Sequence, residues 1–374
     1  MLNLTETTLG ASRRTPEWCA DLIPAQIEET GPPAGDICNV VTSQSYRDTY
    51  YIETPKDLAA ISSCTTFSRG IALLWGVELA SWRSNNTENN EELLDFGTIT
   101  HIKGDLDIST SGLPTKIIRA QNLARIDLSM TVSGLEALEE IDMPALRNVG
   151  QNFSAAGDHF SLSYLPSLQR VRLASEGLGV FYHKSFAGGA KIQNTGLQKI
   201  DFLRTDTSLN TSSYVSGTDF TVQDNKELNE ISLPGVTIGV DNFLVSNNKA
   251  DLKISMPNLE RVGSVQINGV KALDLSGLVE ASAVELVNAT METITLGELG
   301  VLSTSLTVQN SRLLTTLNLQ KLIRIGPPSI SYVKSGMLSG GDISIDNNPQ
   351  LRHISIDNLV SIGGKVRING PFDR

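Results

Sequence analysis

Acidic side chains in the first half of the chain have a spacing that could support glycoside hydrolysis. In four successive repeats the position expected to face outward from a strand is Arg119, Asp142, Arg172 and Asp201. Asp142 and Asp201 would lie two strands apart, roughly 10 Å, which is near the carboxylate separation of inverting glycosidases. Arg172 would lie between them, so we favour a column of alternating charge that stabilises the sheet by roughly 0.2–1 kcal/mol per pair.

Other candidate chemistry is weaker. Asp105 and Asp107 share a strand face and could contact a cation, but a solvated pair is the simpler interpretation. The histidines are scattered, and neither His-x-His nor Cys-x-x-Cys supports a metal site. Gly-x-Ser-x-Gly and phosphate-binding loops are also absent from the sequence. The sequence therefore predicts that the protein is not an enzyme and uses no cofactor or metal, and a β-helix carbohydrate-active enzyme is the least favoured alternative.

A short repeat must position these side chains. An apolar–polar–apolar pattern recurs with leading residues 23, 19, 21 and 23 positions apart, and apolar residues follow five and mostly eight positions later. The same pattern can be followed through ten leading positions: Ile118, Ile141, Val171, Ile200, Ile231, Ile254, Leu273, Ile294, Leu317 and Ile354. A period near 20 with alternating apolar residues is typical of a solenoid whose coils stack their strands. The predicted fold is all-β: a right-handed parallel β-helix or leucine-rich-repeat-like solenoid with one continuous interior row of leading residues.

Composition limits the classes of partner. The net charge of −11 and a pI of about 4.9 argue against binding to nucleic acid. The sequence contains no run of about 18 apolar residues, so it predicts no membrane-spanning helix. Asn-x-Ser/Thr triplets make five candidate glycosylation sites: Asn3, Asn85, Asn152, Asn210 and Asn288. Together with the small number of cysteines they favour a secreted product, and the missing signal peptide then predicts a truncated or trimmed sequence.

The N-terminal part differs from the repeats. Residues 1–37 carry no periodicity and are predicted to be irregular, whereas residues 38–374 form the solenoid. Thr54 followed by Pro55 and Asp57 predicts the start of a helix, Pro55–Ser63, that covers the first coil. We expect a Cys38–Cys64 disulfide to fasten this cap, worth about 3 kcal/mol. Cys19 would then pair outside this sequence; three reduced cysteines in a cytosolic protein are the alternative.

Two segments carry a resemblance to a known family. The helix-and-cysteine segment from Asp57 to Ile71 and the Leu-x-Ile segment from Ile99 to Ile108 resemble the opening of receptor L domains. The variant most similar is the fungal family of glycosylphosphatidylinositol-anchored cell-wall organisation and sporulation-specific proteins. That family has a signal peptide, a C-terminal cap with cysteines, a Ser-rich stalk and an anchor signal, none of which occurs in this sequence. The resemblance implies no catalytic residues, a location in the cell wall or on the outer face of the plasma membrane, and a membrane link only through an anchor lost from this sequence.

Longer coils suggest where a ligand would bind. The extra residues in four coils fall at one corner, roughly residues 151–159, 174–189, 203–218 and 327–340. Aromatic and histidine side chains there form a candidate binding patch: Phe153, Phe181, Tyr182, His183, Phe186 and Tyr214. The function we expect is a non-enzymatic, glycosylated surface protein of fungal wall organisation. The alternative is an ectodomain that recognises a protein or cell-wall glycan through these loops.

A set of asparagines near strand ends also looks functional. It consists of Asn225, Asn248, Asn288, Asn310 and Asn348. Asparagine side chains bond neighbouring turn backbone and tolerate left-handed conformations. We therefore predict a structural role for this set.

Overall fold

The computed structural model describes residues 37–39, 49–73, 92–150, 157–175, 177–180, 188–205, 218–238, 240–326 and 341–371. These residues form a parallel β-solenoid, as the repeat predicts. One 15-stranded sheet, here called the long sheet, runs from the first described strand to the last. Its strands are Thr49–Ile52, Gly70–Leu73, Leu106–Ser109, Met130–Ser133, Gly157–Leu165, Gly188–Thr195, Thr218–Gln223, Val240–Ser246, Arg261–Asn268, Glu280–Val287, Val301–Gln309, Arg324–Ile325, Asp342–Asp346, Ser361–Ile362 and Val366–Ile368.

Shorter sheets form the other sides of the coils. The leading residues lie in three separate ladders, whose strands are Leu93–Asp95, Ile117–Arg119, Glu140–Asp142 and Arg170–Arg172; Lys199–Ile200, Glu230–Ser232, Lys253–Ser255 and Ala272–Asp274; and Thr293–Thr295, Thr316–Asn318 and His353–Ser355. A further sheet, here called the side sheet, contains Thr66–Phe67, His101–Ile102, Arg125–Ile126, Asn148–Val149, Leu178–Val180 and Leu203–Thr205. Every pairing in all of these sheets is parallel.

A single apolar spine fills the interior. The buried residues form one cluster that extends from Ile52 to Leu351. Leading residues pair in register along each ladder, for example Ile231 with Ile254, and Ile294 with Leu317. Each coil thereby buries the apolar face that it could not bury alone.

The leading residues all lie in or against this interior cluster, as expected, but their hydrogen-bonded pairing along the solenoid is interrupted twice. The hydrogen-bonded ladders break between Val171 and Ile200 and again between Leu273 and Ile294. Val171 and Leu273, which end a ladder at these breaks, are only partly buried. The apolar pattern predicts that a residue packs inward, but it does not specify which backbone pairs with which.

Coils in the two halves of the solenoid differ in strand number. From Leu93–Asp95 to Leu203–Thr205 each coil has a leading strand, a side-sheet strand and a long-sheet strand. From Thr218 to Gln309 the described coils have two strands, because the long-sheet strand also contains the segment that forms the side sheet earlier. In Arg261–Asn268 both Val262 and Val265 face inward, so the strand bends between them. Glycine is needed at position 263 of this bend, because the Cβ of any other residue would lie 2.4 Å from the Asp241 carbonyl oxygen.

The N-terminal cap matches its prediction closely. The helix spans Pro55–Ser62, and Thr54 and Asp57 form a reciprocal capping box at its start. Leu58 and Ile61 are the helix residues buried against the first coil. Cys38 and Cys64 are joined by a disulfide. Within the described ranges, no helix combines the length and apolar character needed to cross a membrane.

Candidate functional site

The predicted carboxylate column forms a charge ladder around Asp142. Arg172 Nε lies 2.6 Å from one carboxylate oxygen, and Arg119 Nε lies 3.8 Å from the other. Gln121 also donates to Asp142, at 2.5 Å. Asp201 instead contacts Lys199 at 3.3 Å and lies beyond the first ladder break. The structure therefore does not place Asp142 and Asp201 as a pair around an open site.

A second buried carboxylate was not identified from the sequence. Asp127 is 3% exposed, and its Oδ1 accepts from Arg125 Nε at 2.5 Å and lies 2.8 Å from His101 Nε2. His101 and Arg125 occupy paired positions on neighbouring side-sheet strands, so the contact links two coils. The sequence does show a histidine and an arginine at equivalent positions of two repeats. That Asp127 is their shared partner depends on the register of the two strands, which the sequence does not give.

Asp105 and Asp107 both accept hydrogen bonds from other residues of the solenoid. Asp105 Oδ1 accepts from the backbone N–H of Ser129 at 2.9 Å and from its hydroxyl at 2.6 Å. Asp107 accepts from Ser109. Among the residues that the structure describes, no group of three His, Cys, Asp or Glu side chains is arranged to hold a metal ion.

The aromatic patch predicted on the long coils lies outside the described residues; this concerns Phe153, Phe181, Tyr182, His183, Phe186 and Tyr214. The described strands do define where these segments attach. Val149, Val180 and Thr205 end side-sheet strands that pair in series, and the long-sheet strands that follow also pair in series. The attachment points of three consecutive segments thus share one corner, and binding by their aromatic rings stays a prediction.

Glycosylation likewise stays a prediction. Asn3, Asn85, Asn152 and Asn210 lie outside the described residues, as does Cys19. Asn288 is exposed, with its Nδ2 donating to Asn268 Oδ1 at 2.8 Å. The exposure required of a glycosylated asparagine is therefore met at Asn288.

The asparagines near strand ends separate into two columns with different surroundings. The inner column, which is buried at Asn225 and Asn348 and partly buried at Asn248, bonds backbone groups of neighbouring coils. Asn225 Oδ1 accepts from the backbone N–H and the hydroxyl of Thr195, at 2.9 and 2.7 Å. Asn248 Oδ1 accepts from the N–H of Asn225 at 3.0 Å, and Asn348 Oδ1 accepts from that of Ser311 at 2.9 Å. These bonds confirm a structural role for the inner column.

The outer column precedes the inner one by a single residue and occupies a left-handed corner. Its φ values lie between 52° and 59° at Asn194, Asp224, Asn247, Asn288, Asn310 and Asn347. Asparagine and aspartate adopt this conformation more readily than other non-glycine residues. Tyr164 holds the equivalent position one coil before Asn194, with φ of 55°, and it is 56% exposed. Tyr164 was not identified from the sequence, although it stands at the strand-end position that holds asparagine in later coils.

Amide and hydroxyl side chains on the long sheet continue this corner outward. We call the combined surface the amide strip; it comprises Gln193, Gln223, Ser246, Asn268 and Gln309 on the strands and Asn194, Asp224, Asn247, Asn288 and Asn310 at the corner. Strand pairing stacks the first set in successive coils, interrupted by Val287. Bonds between coils hold several of its side chains, including Gln223 Nε2 to Ser246 Oγ at 2.9 Å. The strip is thus a regular surface of hydrogen-bonding groups with Tyr164 at one end.

Comparison with known proteins found a distant relative. The chain is 24% identical over 346 residues to sporulation-specific protein 22 of Saccharomyces cerevisiae. The match covers 92% of this chain and 62% of the relative, so the chain spans less than two thirds of that protein's length. No protein-family model matches the chain, and no solved structure matches it.

Proposed function

We propose that this chain is the solenoid of a non-enzymatic, glycosylated fungal surface protein that contributes to cell-wall organisation. The observation that carries the proposal is the similarity, over nearly the whole chain, to a fungal protein named for sporulation. The disulfide of the cap supports it, because disulfides persist mainly in secreted and extracellular proteins. The receptor L-domain relationship and a lipid anchor outside this sequence belong to the same proposal.

The charge ladder supports a non-enzymatic role. The carboxylate of Asp142 is 10% exposed and is shared between Arg172 and Arg119. A general acid or base must be free to exchange a proton with a bound substrate. Asp142 instead contributes to the cohesion of neighbouring coils.

Localisation in the source fungus tests the proposal. Antibodies to the chain would be applied to intact and to permeabilised cells, and wall fractions would be probed before and after endoglycosidase treatment. We expect labelling of intact cells, a wall-associated band that shifts on deglycosylation, and thiol labelling of Cys38 and Cys64 only after reduction. A cytosolic band that does not shift, with both thiols reduced, would contradict the proposal.

A second candidate is an ectodomain that binds a ligand through the long coils. The shared attachment corner of three consecutive segments favours it, because insertions at one corner of a solenoid commonly form its binding surface. A variant with Phe181, Tyr182 and Phe186 changed to alanine would be compared with the native protein for retention in the wall. Unchanged retention of a folded variant would count against this candidate.

A further inference from the structure

We infer that the amide strip, with Tyr164 at its end, binds an extended uncharged polysaccharide that lies parallel to the axis of the solenoid. This inference rests on the proposed function, because it names the class of wall molecule that the protein would contact. The strip lies at the ends of the long-sheet strands, whereas the longer segments of the chain join these strands at their starts. In the strand Gly188–Thr195, for example, the long coil precedes Gly188, whereas the strip residues are Gln193 and Asn194.

The chemistry of the strip matches a polyol. Each amide side chain offers two N–H donors and a carbonyl acceptor, so one bond within the protein leaves further hydrogen-bonding capacity. Gln193 donates to Asp224 at 3.1 Å, and Asn288 donates to Asn268 at 2.8 Å. These contacts hold the side chains in place before a ligand arrives, which reduces the entropy lost on binding.

Tyr164 is the feature that a purely structural corner does not require. The corner position in the following coils holds asparagine, aspartate or glycine, which adopt a left-handed conformation at low cost. A bulky residue with φ of 55° is strained, and such strain is often retained at functional positions. The residue is 56% exposed, so the coil gains little packing in return. An exposed aromatic ring at the end of a row of amides can stack against a sugar ring.

The charge and spacing of the strip favour a neutral, linear partner. Asp224 is the charged member of the strip, in a chain of net charge −11, so polyanions would be repelled. The column two residues earlier on the same strands is less uniform, since it includes Lys191, Leu244 and Glu285. From Tyr164 to Asn310 the corner crosses seven coils, a length of about 29 Å at ~4.8 Å per coil. This step is comparable to one pyranose unit of an extended glycan, so successive sugars would meet amide or hydroxyl groups except beside Gly269 and Val287.

Binding of neutral glycans by the disulfide-bonded chain tests the inference. Protein secreted from yeast and trimmed with endoglycosidase would be titrated onto β-1,3-glucan particles, chitin particles and, as a charged control, polygalacturonate. We expect saturable binding to at least one neutral particle and none to polygalacturonate. If the native protein bound neither the glucan nor the chitin particles, the inference would be overturned.

Two variants locate the site. Tyr164→Asn introduces the residue that this corner holds in later coils, so it should fold at least as stably, and we expect binding about tenfold weaker through loss of ring stacking. Gln193→Ala combined with Gln223→Ala should weaken binding as well. Tyr51→Ala is the control, because Tyr51 is a similarly exposed tyrosine on the first strand of the long sheet. Equal binding by Tyr164→Asn and the native protein would overturn the inference.

Failure of the inference is distinguishable from failure of the proposed function. If the protein lies in the wall and Tyr164→Asn is retained there as the native protein is, the strip is not the binding surface although the proposed location stands. If the native protein is cytosolic and unglycosylated, the proposed function fails whatever the particles bind.

Discussion

The coils before Thr205 and those after Thr218 share an apolar spine but stabilise their stacking with different polar groups. Early coils use charged side chains between strands, as in the contacts of Asp142 and Asp127. Later coils use an inner amide column, as in the bonds of the buried Asn225 and the partly buried Asn248. Ion pairs in the later half, such as Lys321 with Glu298, lie on the exposed surface.

The difference lies in which residues occupy the outward strand positions and the position after the left-handed corner. In the three-strand coils, outward residues of the leading strands pair in register from one coil to the next. Opposite charges can therefore alternate along the sheet, as in Arg119, Asp142 and Arg172. Coils of both kinds turn through a left-handed corner, as at Gly134 and at Asp224, and the residue after that corner points inward; it is Leu135 in the first case and Asn225 in the second. A buried backbone N–H at such a corner needs a partner, and a stacked asparagine supplies one without bringing a charge into the interior. The two halves thus show that one period of apolar residues is compatible with two polar solutions.

The apolar spine itself should respond equally in both halves. Ile141→Ala and Ile231→Ala each remove a fully buried leading residue with a paired neighbour on both sides. We expect each to lower the free energy of unfolding by about 3 kcal/mol, measured by urea denaturation followed by circular dichroism. Leu273→Ala, at a ladder end and only partly buried, is the control and should cost less. Clearly unequal losses at Ile141 and Ile231 would mean that the halves differ in more than their polar groups.

The amide column should matter almost as much as the spine, and without dependence on salt. Asn225 is fully buried, so Asn225→Ala leaves the N–H and hydroxyl of Thr195 without their acceptor. We expect a loss of about 2–3 kcal/mol in the same assay. Asn258→Ala removes an exposed asparagine that donates to the Pro234 carbonyl at 3.0 Å and should change stability by less than about 0.5 kcal/mol. Similar effects of the two changes would contradict the structural role of the inner column.

The charge ladder should contribute less and should depend on ionic strength. Arg172→Ala removes the nearest cation from Asp142, and because Arg172 is half exposed we expect a loss of about 1 kcal/mol at low salt. The difference from the native protein should shrink as sodium chloride is raised, since salt screens partly exposed charges. Lys321→Ala, in an exposed pair of the later half, should have a smaller effect. A salt-independent loss for Arg172→Ala would indicate that packing of its stem matters more than its charge.

The smallest expected effect concerns pH at the last described coils. A hydrogen bond from Asn369, aided by Arg367, lowers the pKa of Asp346 from its ordinary value. A carboxyl with a depressed pKa in the folded state stabilises the fold above its unfolded pKa of about 3.9 and loses that contribution as pH falls through the folded pKa. The urea midpoint should therefore drop as the pH falls below about 4, and by less in Asn369→Ala. An equal drop in both proteins would show that Asp346 is not responsible.

Much of the fold could be predicted because burial is periodic in the sequence. The leading residues, the apolar residues five positions later and the Thr54 cap all depend on local spacing, and the structure confirms them. The Cys38–Cys64 pairing could be proposed because both cysteines flank the cap. The ladder breaks could not be predicted, since the residues on either side of a break keep the same apolar pattern.

The candidate site was harder to predict for a related reason. The asparagines at strand ends can be recognised in the sequence. Whether one of them faces inward depends on whether it occupies the left-handed corner itself or the position directly after it. Asn225 and Asp224 differ by one position, yet one is buried and the other lies on the outer column. Tyr164 carries no local signal for its conformation, because only alignment with later coils places it at that corner.

The sequence by itself determined that coils of about twenty residues stack and which aliphatic side chains fill their interior, because alternation and period are local properties of the chain. The tertiary structure decided which polar groups meet, because contacts such as Asp142 with Arg172, or Asn225 with Thr195, join residues about one coil apart. Their partners depend on strand register and on corner geometry, and both are fixed only when neighbouring coils are in place.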